Sequence, residues 1–496
     1  MYHIRELKTT SGHIAVQVIY YRNRKRVIFK HIGSAKDTQE LDSLKLVAQD
    51  VIDNSVHQIS IFDDVKFDNL LYLDKTDFLG TYYTFLYEAI FELISQIGFA
   101  KIKKQFLLDL VAIRMLEPAS KLRSIELLAM YFGIHHRRQS YYQSASQWFD
   151  LKAKIESIVI EFARKTYAFN FDLLFYDVTT LYFETFEEDE LRRNGFSKDN
   201  KSQQPQILVA LMVTKEGFPI AYEIFSGNIF EGHTILPVVK KFIKKHNVKE
   251  FTVVADAAMI SSTNVQELLK NNINYIVGAR LANLSHELID QIDKNIIRED
   301  NKSIRVKTDN GYLICSYSSI RHRKDKYEME KQIAKAKTII ENPGKNKKVK
   351  FTKTIDERIE INEALIEKST KLLGIKGYYT NLEEILVSNQ TIIERYHELY
   401  KIEQAFRISK HDLQTRPIFH FKEEPIKLHL LICFMALVIS KHIELNTRDS
   451  IKKFINECKK VTDARLLNKI TNKEIRIRSQ LNNKILNYIK ILKLSH

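Results

Sequence analysis

Cysteine is scarce in this chain of 496 residues, which contains only Cys315, Cys433 and Cys458. An odd number of widely spaced cysteines, with no C-x-x-C pair, excludes a disulfide framework and a cysteine zinc site and fits a reducing compartment. The N-terminus lacks the apolar core of a signal peptide, and the longest apolar run, Leu428 to Ser440, is too short to span a membrane. We therefore expect a soluble cytoplasmic protein in which that run is a buried helix.

Acidic residues are outnumbered, because 77 Lys and Arg stand against 61 Asp and Glu and give a net charge of +16. A basic excess of this size indicates a polyanionic partner, most often nucleic acid, although a protein can also be basic without one. The excess is concentrated in residues 446–496, which hold thirteen basic and four acidic residues. That tail is interpreted as a basic arm over DNA, with a pair of solvated amphipathic helices as the alternative.

Hydrophobic periodicity divides the chain into segments of different character. A strand-rich N-terminal region contains a hairpin with a basic turn, Arg22 to Arg26, which either contacts phosphate or is a solvated turn. A helical region follows that is typical of DNA-binding domains, although packing alone also explains its periodicity. The predicted segments are 1–75 (strand-rich), 76–169 (helical, DNA-binding), 170–281 (α/β, first part), 282–375 (a β-containing insertion), 376–445 (α/β, second part) and 446–496 (basic tail).

The segment from residue 170 alternates between strands and helices. Three strand-like runs come first, the last two joined by Lys215-Glu216-Gly217, and a helix, a strand, a second helix and another strand follow. The strand before Asp256, EFTVVA, is nearly all apolar, as expected for a strand that is buried on both faces. This order predicts a mixed sheet covered by helices on both faces.

Two aspartates occupy equivalent places in this predicted sheet. Asp177 stands near the end of the apolar run LLFYDVTT, and Asp256 follows the apolar run FTVVA. A lone carboxylate in a buried strand is costly unless it is paired or bound to a metal, although a solvent-facing edge position is the plainer alternative. Because ligands bind at the carboxyl ends of strands in α/β sheets, we expect the two side chains to converge.

A third carboxylate, Glu403, lies in a predicted long helix. Tyr396, Glu403 and Lys410 recur at a spacing of seven, and Arg407 follows Glu403 by four, so all four fall close to one helical face. Such a face can complete a metal site while its cations hold phosphate. A surface helix with ordinary salt bridges explains the same spacing.

Taken together, these motifs resemble those of the DDE transposases of bacterial insertion sequences, in the group whose third acidic residue lies in a Y-x2-R-x3-E-x6-K signature. This sequence matches three of the four signature positions, with Leu399 where the signature has arginine. Further blocks that resemble the family are Asp177-Val-Thr-Thr, Val-Val-Ala-Asp256, Gly195-Phe-Ser-Lys-Asp199, Pro205-Gln206 and Gly227-Asn228-x2-Glu231-x2-Thr234. The resemblance spans residues 1–445.

The resemblance implies an RNase H-like catalytic core in which Asp177, Asp256 and Glu403 hold two Mg²⁺ ions, with Mn²⁺ as a possible substitute. It implies that Tyr396, Arg407 and Lys410 contact DNA phosphate. The implied partners are double-stranded DNA, as terminal inverted repeats and target, and a second copy of the chain in the DNA complex.

Two other function classes remain open at this point. A catalytically silent DNA-binding relative of a transposase fits the charge, but the presence of all three carboxylates argues against it. A glycoside hydrolase also uses two carboxylates, but one tryptophan and a net charge of +16 do not favour a sugar-binding cleft.

Overall fold

The computed structural model describes residues 2–22, 24–55, 73–196, 203–248, 250–257, 261–341, 349–355, 358–469 and 472–495. Two sequence motifs lie partly outside these ranges: Asn23 of the basic turn, and Ser197 to Asp199 of the block Gly195 to Asp199. The chain divides into two compact units. The first contains Met1–Ala89, Leu127–His135 and Ile455–Lys490, and the second contains Ile90–Glu126, His136–Phe454 and Ile491–His496.

The N-terminal third begins with strands and continues with helices, but a helix, Thr38–Ser55, already lies within the segment 1–75 that was predicted to be strand-rich. Its elements are β1 (Tyr2–Lys8), β2 (Ile14–Arg22), β3 (Lys25–Ala35), α1 (Thr38–Ser55), β4 (Thr76–Tyr82), α2 (Thr84–Ile97), α3 (Gln105–Leu116), α4 (Lys121–Phe132), α5 (Arg138–Ala145) and α6 (Lys152–Tyr167). Strands β1, β2 and β3 form an antiparallel sheet, so the predicted hairpin is confirmed. Val16 and Val18 of its central strand pack against Leu44 and Ala48 of α1.

The middle of the chain supplies the strands of the largest sheet. Its elements are β5 (Leu173–Tyr182), β6 (Gln206–Thr214), β7 (Pro219–Ser226), α7 (Ile235–His246), β8 (Thr252–Ala255), α8 (Ser262–Lys270), β9 (Asn274–Ala279), α9 (His286–Asn295), β10 (Ser303–Thr308), β11 (Gly311–Tyr317), α10 (Ser319–Glu341), β12 (Thr352–Ile355), β13 (Arg358–Ile361), α11 (Glu363–Lys371) and β14 (Ile375–Thr380). The eight strands of this sheet are ordered β10-β11-β14-β9-β8-β5-β6-β7.

Both strand directions occur in the large sheet, as predicted. Strands β5, β6 and β7 form an antiparallel meander, whereas β8 runs parallel to β5 and β9 parallel to β8. The turn between β6 and β7 contains Gly217, whose φ of +84° is readily adopted only by glycine. The mixed α/β architecture is therefore confirmed.

The segment 282–375, predicted as an insertion outside the core, is partly built into the sheet. Its hairpin β10–β11 turns at Gly311, which has φ +83°, and β11 then pairs antiparallel with β14. The Tyr275 hydroxyl of β9 donates to the Asn310 carbonyl at 2.7 Å and fixes this turn against the sheet. The hairpin extends the sheet because its apolar residues, including Leu313 and Cys315, pack with Ile375 of β14 in one buried cluster.

The C-terminal part contains α12 (Asn389–His397), α13 (Tyr400–Arg407), α14 (Glu423–Thr447), α15 (Ile451–Cys458), β15 (Asp463–Asn468), β16 (Lys473–Arg478) and α16 (Asn483–Leu492). The basic tail is folded, and its hairpin β15–β16 forms a three-stranded sheet with β4. Arg478 of this hairpin forms ion pairs with the buried Asp463 and with Glu88.

Helix α14 is the one described helix that is long and apolar enough to cross a membrane. Of its most apolar 18-residue window, 94% is buried inside the protein. The interpretation of Leu428 to Ser440 as a buried helix is therefore confirmed, and α14 is a core element of its unit.

Candidate active site

Asp177 is a half-buried residue within β5, between the buried residues Tyr176 and Val178. Successive side chains of a strand point to opposite faces, so Asp177 shares its face with Thr179 and Leu181. These two residues line a cavity together with Phe406 of α13. On the other face, the hydroxyl of Tyr176 donates to Thr234 at 2.8 Å, just before α7. Asp177 therefore belongs to the face of the sheet that α13 covers.

Asp256 follows the last residue of β8 and lies beside Asp177 in the register of the sheet. The parallel pairing of β5 and β8 ends with Tyr176 opposite Ala255, so the next residue of each strand is an aspartate. Paired residues of adjacent strands point to the same face. Strand register therefore supports the predicted convergence of the two aspartates.

The chain that carries Glu403 is not the single helix predicted from sequence. Helix α12 ends at His397 and α13 begins at Tyr400. At this turn Leu399 N donates to Tyr396 O at 3.1 Å and Ile402 N donates to Leu399 O at 3.1 Å, and both are i to i+3 hydrogen bonds. After Arg407 the backbone continues as a π-helical turn, Ile408–Asp412. The prediction of one continuous helix was wrong, because the backbone at this turn forms i to i+3 hydrogen bonds in place of the i to i+4 bonds of an α-helix.

Tyr396 is directed at the second aspartate despite this break. Its hydroxyl donates to Asp256 Oδ1 at 3.0 Å, and the same oxygen accepts the Ala257 amide at 2.7 Å. Burial raises the pKa of Tyr396, and the negative charge and hydrogen bond of Asp256 raise this pKa further. The tyrosine therefore remains a protonated donor that orients the Asp256 carboxylate.

Gly278 of β9 makes the approach of Tyr396 possible. A Cβ atom at this position would lie 2.5 Å from the Tyr396 hydroxyl and 3.1 Å from Ala257 Cβ, which is closer than real Cβ contacts allow. The residue is in the middle of a strand, where glycine often marks a close approach of another group. Sequence reasoning missed Gly278, although a glycine within the apolar run NYIVGAR was a usable signal.

Glu403 lies on the exposed side of α13, whose buried residues are Ile402, Ala405 and Phe406. Among the described residues its carboxylate has no hydrogen bond and no salt bridge, so nothing described competes with a cation for it. Its charge acts on Tyr396 and on Lys376, as does the charge of Asp256. Glu403 and Asp256 therefore contribute to one local electrostatic field.

Lys376 of β14 is a half-buried cation beside these carboxylates that sequence reasoning also missed. Its Nζ lies 4.7 Å from the centre of the Tyr396 ring and 5.6 Å from that of Tyr378. Burial and the nearby Arg321 lower the pKa of Lys376, whereas Asp256 and Glu403 oppose this shift. No sequence signal singled out Lys376, because its position depends on the pairing of β14 with β9.

The two predicted phosphate-binding cations occupy different settings. Arg407 ends α13 with its side chain exposed, whereas Lys410 is half-buried in the π-helical turn and lines the cavity with Thr179 and Phe406. The structure thus places both cations on the segment that follows Glu403.

The donor set fits a hard divalent cation, although the described residues contain no group of three or more His, Cys, Asp or Glu side chains close enough to hold a metal by themselves. Mg²⁺ is commonly bound through one or two carboxylates together with substrate phosphates rather than by a complete protein cage. Asp177 and Asp256, adjacent in register, provide such a pair. Glu403 is a further carboxylate on α13, the helix that contacts β5.

The family model of the transposase DDE domain matches residues 170–439, which is more than half of the chain and includes all three carboxylates. The chain belongs to the transposase DDE-domain family. The matched part of this transposase extends from the loop before β5 into α14. Among solved structures, the transposase is similar to the piggyBac transposase synaptic complex with hairpin DNA, determined by cryo-EM, with 12% identity and a TM-score of 0.38 over 76% of this chain and 79% of that chain. No curated protein matches its sequence.

Proposed function

We propose that this transposase cleaves DNA strands at the ends of its own mobile element and joins them to target DNA, as in the cut-and-paste transposition of a bacterial insertion sequence. The observation that carries the proposal is the pairing of β5 with β8, which brings Asp177 and Asp256 to the same level on adjacent parallel strands. The hydrogen bond from Tyr396, the first residue of the signature, to Asp256 supports it.

In this proposal Asp177, Asp256 and Glu403 would hold two Mg²⁺ ions, with Mn²⁺ as a substitute. Bound in this way, the ions would activate the attacking water or 3′-hydroxyl and stabilise the leaving oxygen. The sheet order β7-β6-β5-β8-β9, a meander followed by two parallel strands, supports an RNase H-like core around these residues.

The protein groups of the proposed site orient ligands and bind phosphate. Tyr396 holds Asp256 through Oδ1, so a phosphate contact by the same hydroxyl requires that bond to open. Arg407 and Lys410 are proposed to bind the DNA backbone near the cleaved bond, where an arginine can form two parallel bonds to one phosphate. The proposed substrates are the terminal inverted repeats of the element and target DNA. The proposed assembly on DNA is a homodimer, and the proposed location is the nucleoid in the bacterial cytoplasm.

The decisive experiment incubates the purified protein with labelled duplexes from the DNA that flanks its coding sequence, in Mg²⁺ and in EDTA. Cleavage that needs Mg²⁺, and that is lost in Asp177→Asn, Asp256→Asn and Glu403→Gln, supports the proposal. The matched control is Glu394→Gln, which removes an exposed carboxylate from the same helix as Tyr396 and should cleave normally. Wild-type protein that binds these duplexes without cutting them would favour the alternative, a catalytically silent DNA-binding relative.

A further inference from the structure

A buried group of basic side chains lies where α3, α4 and α14 meet. Arg114 of α3 is 3% exposed, Lys121 of α4 is 4% exposed, and His429 of α14 is 4% exposed. We call Arg114 and Lys121, with the neutral His429 beside them, the cationic cluster. They line a cavity of about 40 Å³ together with the half-buried His420.

The hydrogen bonds of the cluster leave one strong donor unused. Arg114 donates through Nη1 to the Ala119 carbonyl at 2.7 Å and through Nη2 to the Gln414 carbonyl, but its buried Nε has no partner in the described structure. A buried guanidinium N–H without an acceptor is costly, since it has lost its hydration and gained nothing in return. An acceptor in the cavity would remove this cost.

Lys121 also has no acidic partner among the residues that the structure describes. His429 Nε2 donates to the Thr415 carbonyl at 2.9 Å, so its Nδ1 is the acceptor for Lys121 Nζ at 3.3 Å. Burial and, to a smaller extent, the positive charge of Arg114 lower the pKa of Lys121 to about 7, while Cys433 opposes this shift. No carboxylate is among the described groups whose charge acts on Lys121, His420 or His429.

The backbone adds to the positive potential. Lys121 is the first residue of the twelve-residue helix α4, and Ser120, whose hydroxyl accepts the Arg123 amide at 3.3 Å, precedes it and also lines the cavity. The N-terminal end of a helix carries partial positive charge and unpaired N–H groups, which together favour an anion. A helix terminus, a buried arginine and a buried lysine thus surround one cavity that contains no acidic side chain.

We propose that the cationic cluster and the N-terminal end of α4 form a binding site for a single phosphate group. The cavity is large enough for two or three water molecules at roughly 15 Å³ each, which is the scale of a small oxyanion. The phosphate comes either from free inorganic phosphate or from a DNA backbone. The second source rests on the proposed function, whereas the site itself does not.

The test is thermal unfolding in increasing inorganic phosphate, with chloride used to keep the ionic strength constant and no metal present. We expect the Tm of the wild type to rise on the order of 5 °C at about 100 times the Kd for phosphate. The rise in Tm should be absent in Lys121→Met. If that variant folds poorly, Lys121→Gln replaces it, and the rise should be absent there too. Lys165→Met, which removes an exposed lysine that is 72% accessible, should respond like the wild type. Equal phosphate responses in the wild type and the Lys121 variants would overturn the proposal.

A DNA arm of the experiment distinguishes the two sources of phosphate. If the site takes a backbone phosphate, Lys121→Met weakens duplex binding and inorganic phosphate competes with DNA at constant ionic strength. If it takes free phosphate, Lys121→Met binds DNA normally and the phosphate-dependent rise in Tm persists with DNA bound. The same Tm series on Asp256→Asn, which is inactive under the proposed function, should match the wild type. Failure of catalysis and failure of this site are therefore separable.

Discussion

The candidate active site and the cationic cluster contain opposite charges in opposite environments. Asp256 and Glu403 are exposed carboxylates, so water screens them and the folded protein holds them at little cost until a cation arrives. Arg114 and Lys121 are buried basic side chains that form no salt bridge with a described residue, and burial of such charge is expensive. An exposed site therefore costs the fold little stability when its ligand is absent, whereas a buried site makes the stability of the fold depend on its ligand.

The largest expected effect is on DNA cleavage and concerns the two aspartates of the candidate active site. Asp177→Asn or Asp256→Asn should reduce DNA cleavage by roughly a thousand-fold or more, because removal of a residue that acts within a catalytic unit disables the whole unit. Duplex binding, measured by fluorescence anisotropy without metal, should remain close to that of the wild type. If the variants instead lost duplex binding, and circular dichroism showed a loss of folded structure, the aspartates would be structural residues and not a site that is open to a cation.

The next effect concerns the support of Asp256. Gly278→Ala places a Cβ against the Tyr396 hydroxyl, so the hydrogen bond to Asp256 should be lost and cleavage should fall about 10- to 100-fold, as when groups that orient metal ligands are removed. Tyr396→Phe removes the same hydroxyl. The alanine substitution should therefore cost less cleavage activity in the Tyr396→Phe background than in the wild type, and full additivity of the two losses would contradict this role for Gly278.

The burial of Lys121 predicts that the free energy of unfolding depends on pH. Lys121 has a pKa of about 7 in the folded protein, against about 10.4 in an unfolded chain, so between these values the unfolded state binds more protons. Stability should therefore rise with pH across this window, by up to about 1.4 kcal/mol per pH unit. Saturating phosphate should flatten the rise because it favours the charged lysine.

The check is urea unfolding of the wild type and of Lys121→Met from pH 6.5 to 9.5. Subtracting one curve of unfolding free energy against pH from the other cancels the groups that titrate equally in both proteins. The neighbours of residue 121 are the same in both: Arg114, His420, His429 and Cys433. Below pH 7 the methionine variant should be the more stable protein in the absence of phosphate. Identical pH profiles would show that Lys121 is not a buried, uncompensated amine.

The smallest expected effect concerns the exposed cation beside Glu403. Arg407→Gln should weaken duplex binding and reduce the slope of log K against log salt by about one, since one phosphate contact is lost. Anisotropy titrations between low and moderate salt measure this slope. An unchanged slope would remove Arg407 from the DNA interface and restrict the proposed contacts to Lys410.

Local pattern was sufficient to predict the strands β5 to β9, the mixed sheet and the buried helix α14. Alternation and apolar runs report directly which faces of an element are buried, and these elements are buried as their patterns require. The same reasoning placed Asp177 and Asp256 at the ends of apolar strands; Asp256 does follow the last residue of β8, whereas Asp177 lies in the middle of β5. It described residues 282–375 as an insertion rather than a core element and did not predict that β10 and β11 extend the large sheet, because pairing between β11 and β14 cannot be read from either strand alone.

The amino-acid sequence by itself determined the composition of this protein: a basic chain with three acidic residues in a family pattern, two of them in apolar strands. Only the tertiary structure decided that the helix is interrupted between His397 and Tyr400 and that Gly278 leaves room for Tyr396 beside Asp256. It alone also decided that Arg114 and Lys121 line one cavity with no acidic side chain among its described lining residues. The physical reason is that desolvation and close contact depend on residues far apart in the chain, whereas periodicity depends on near neighbours.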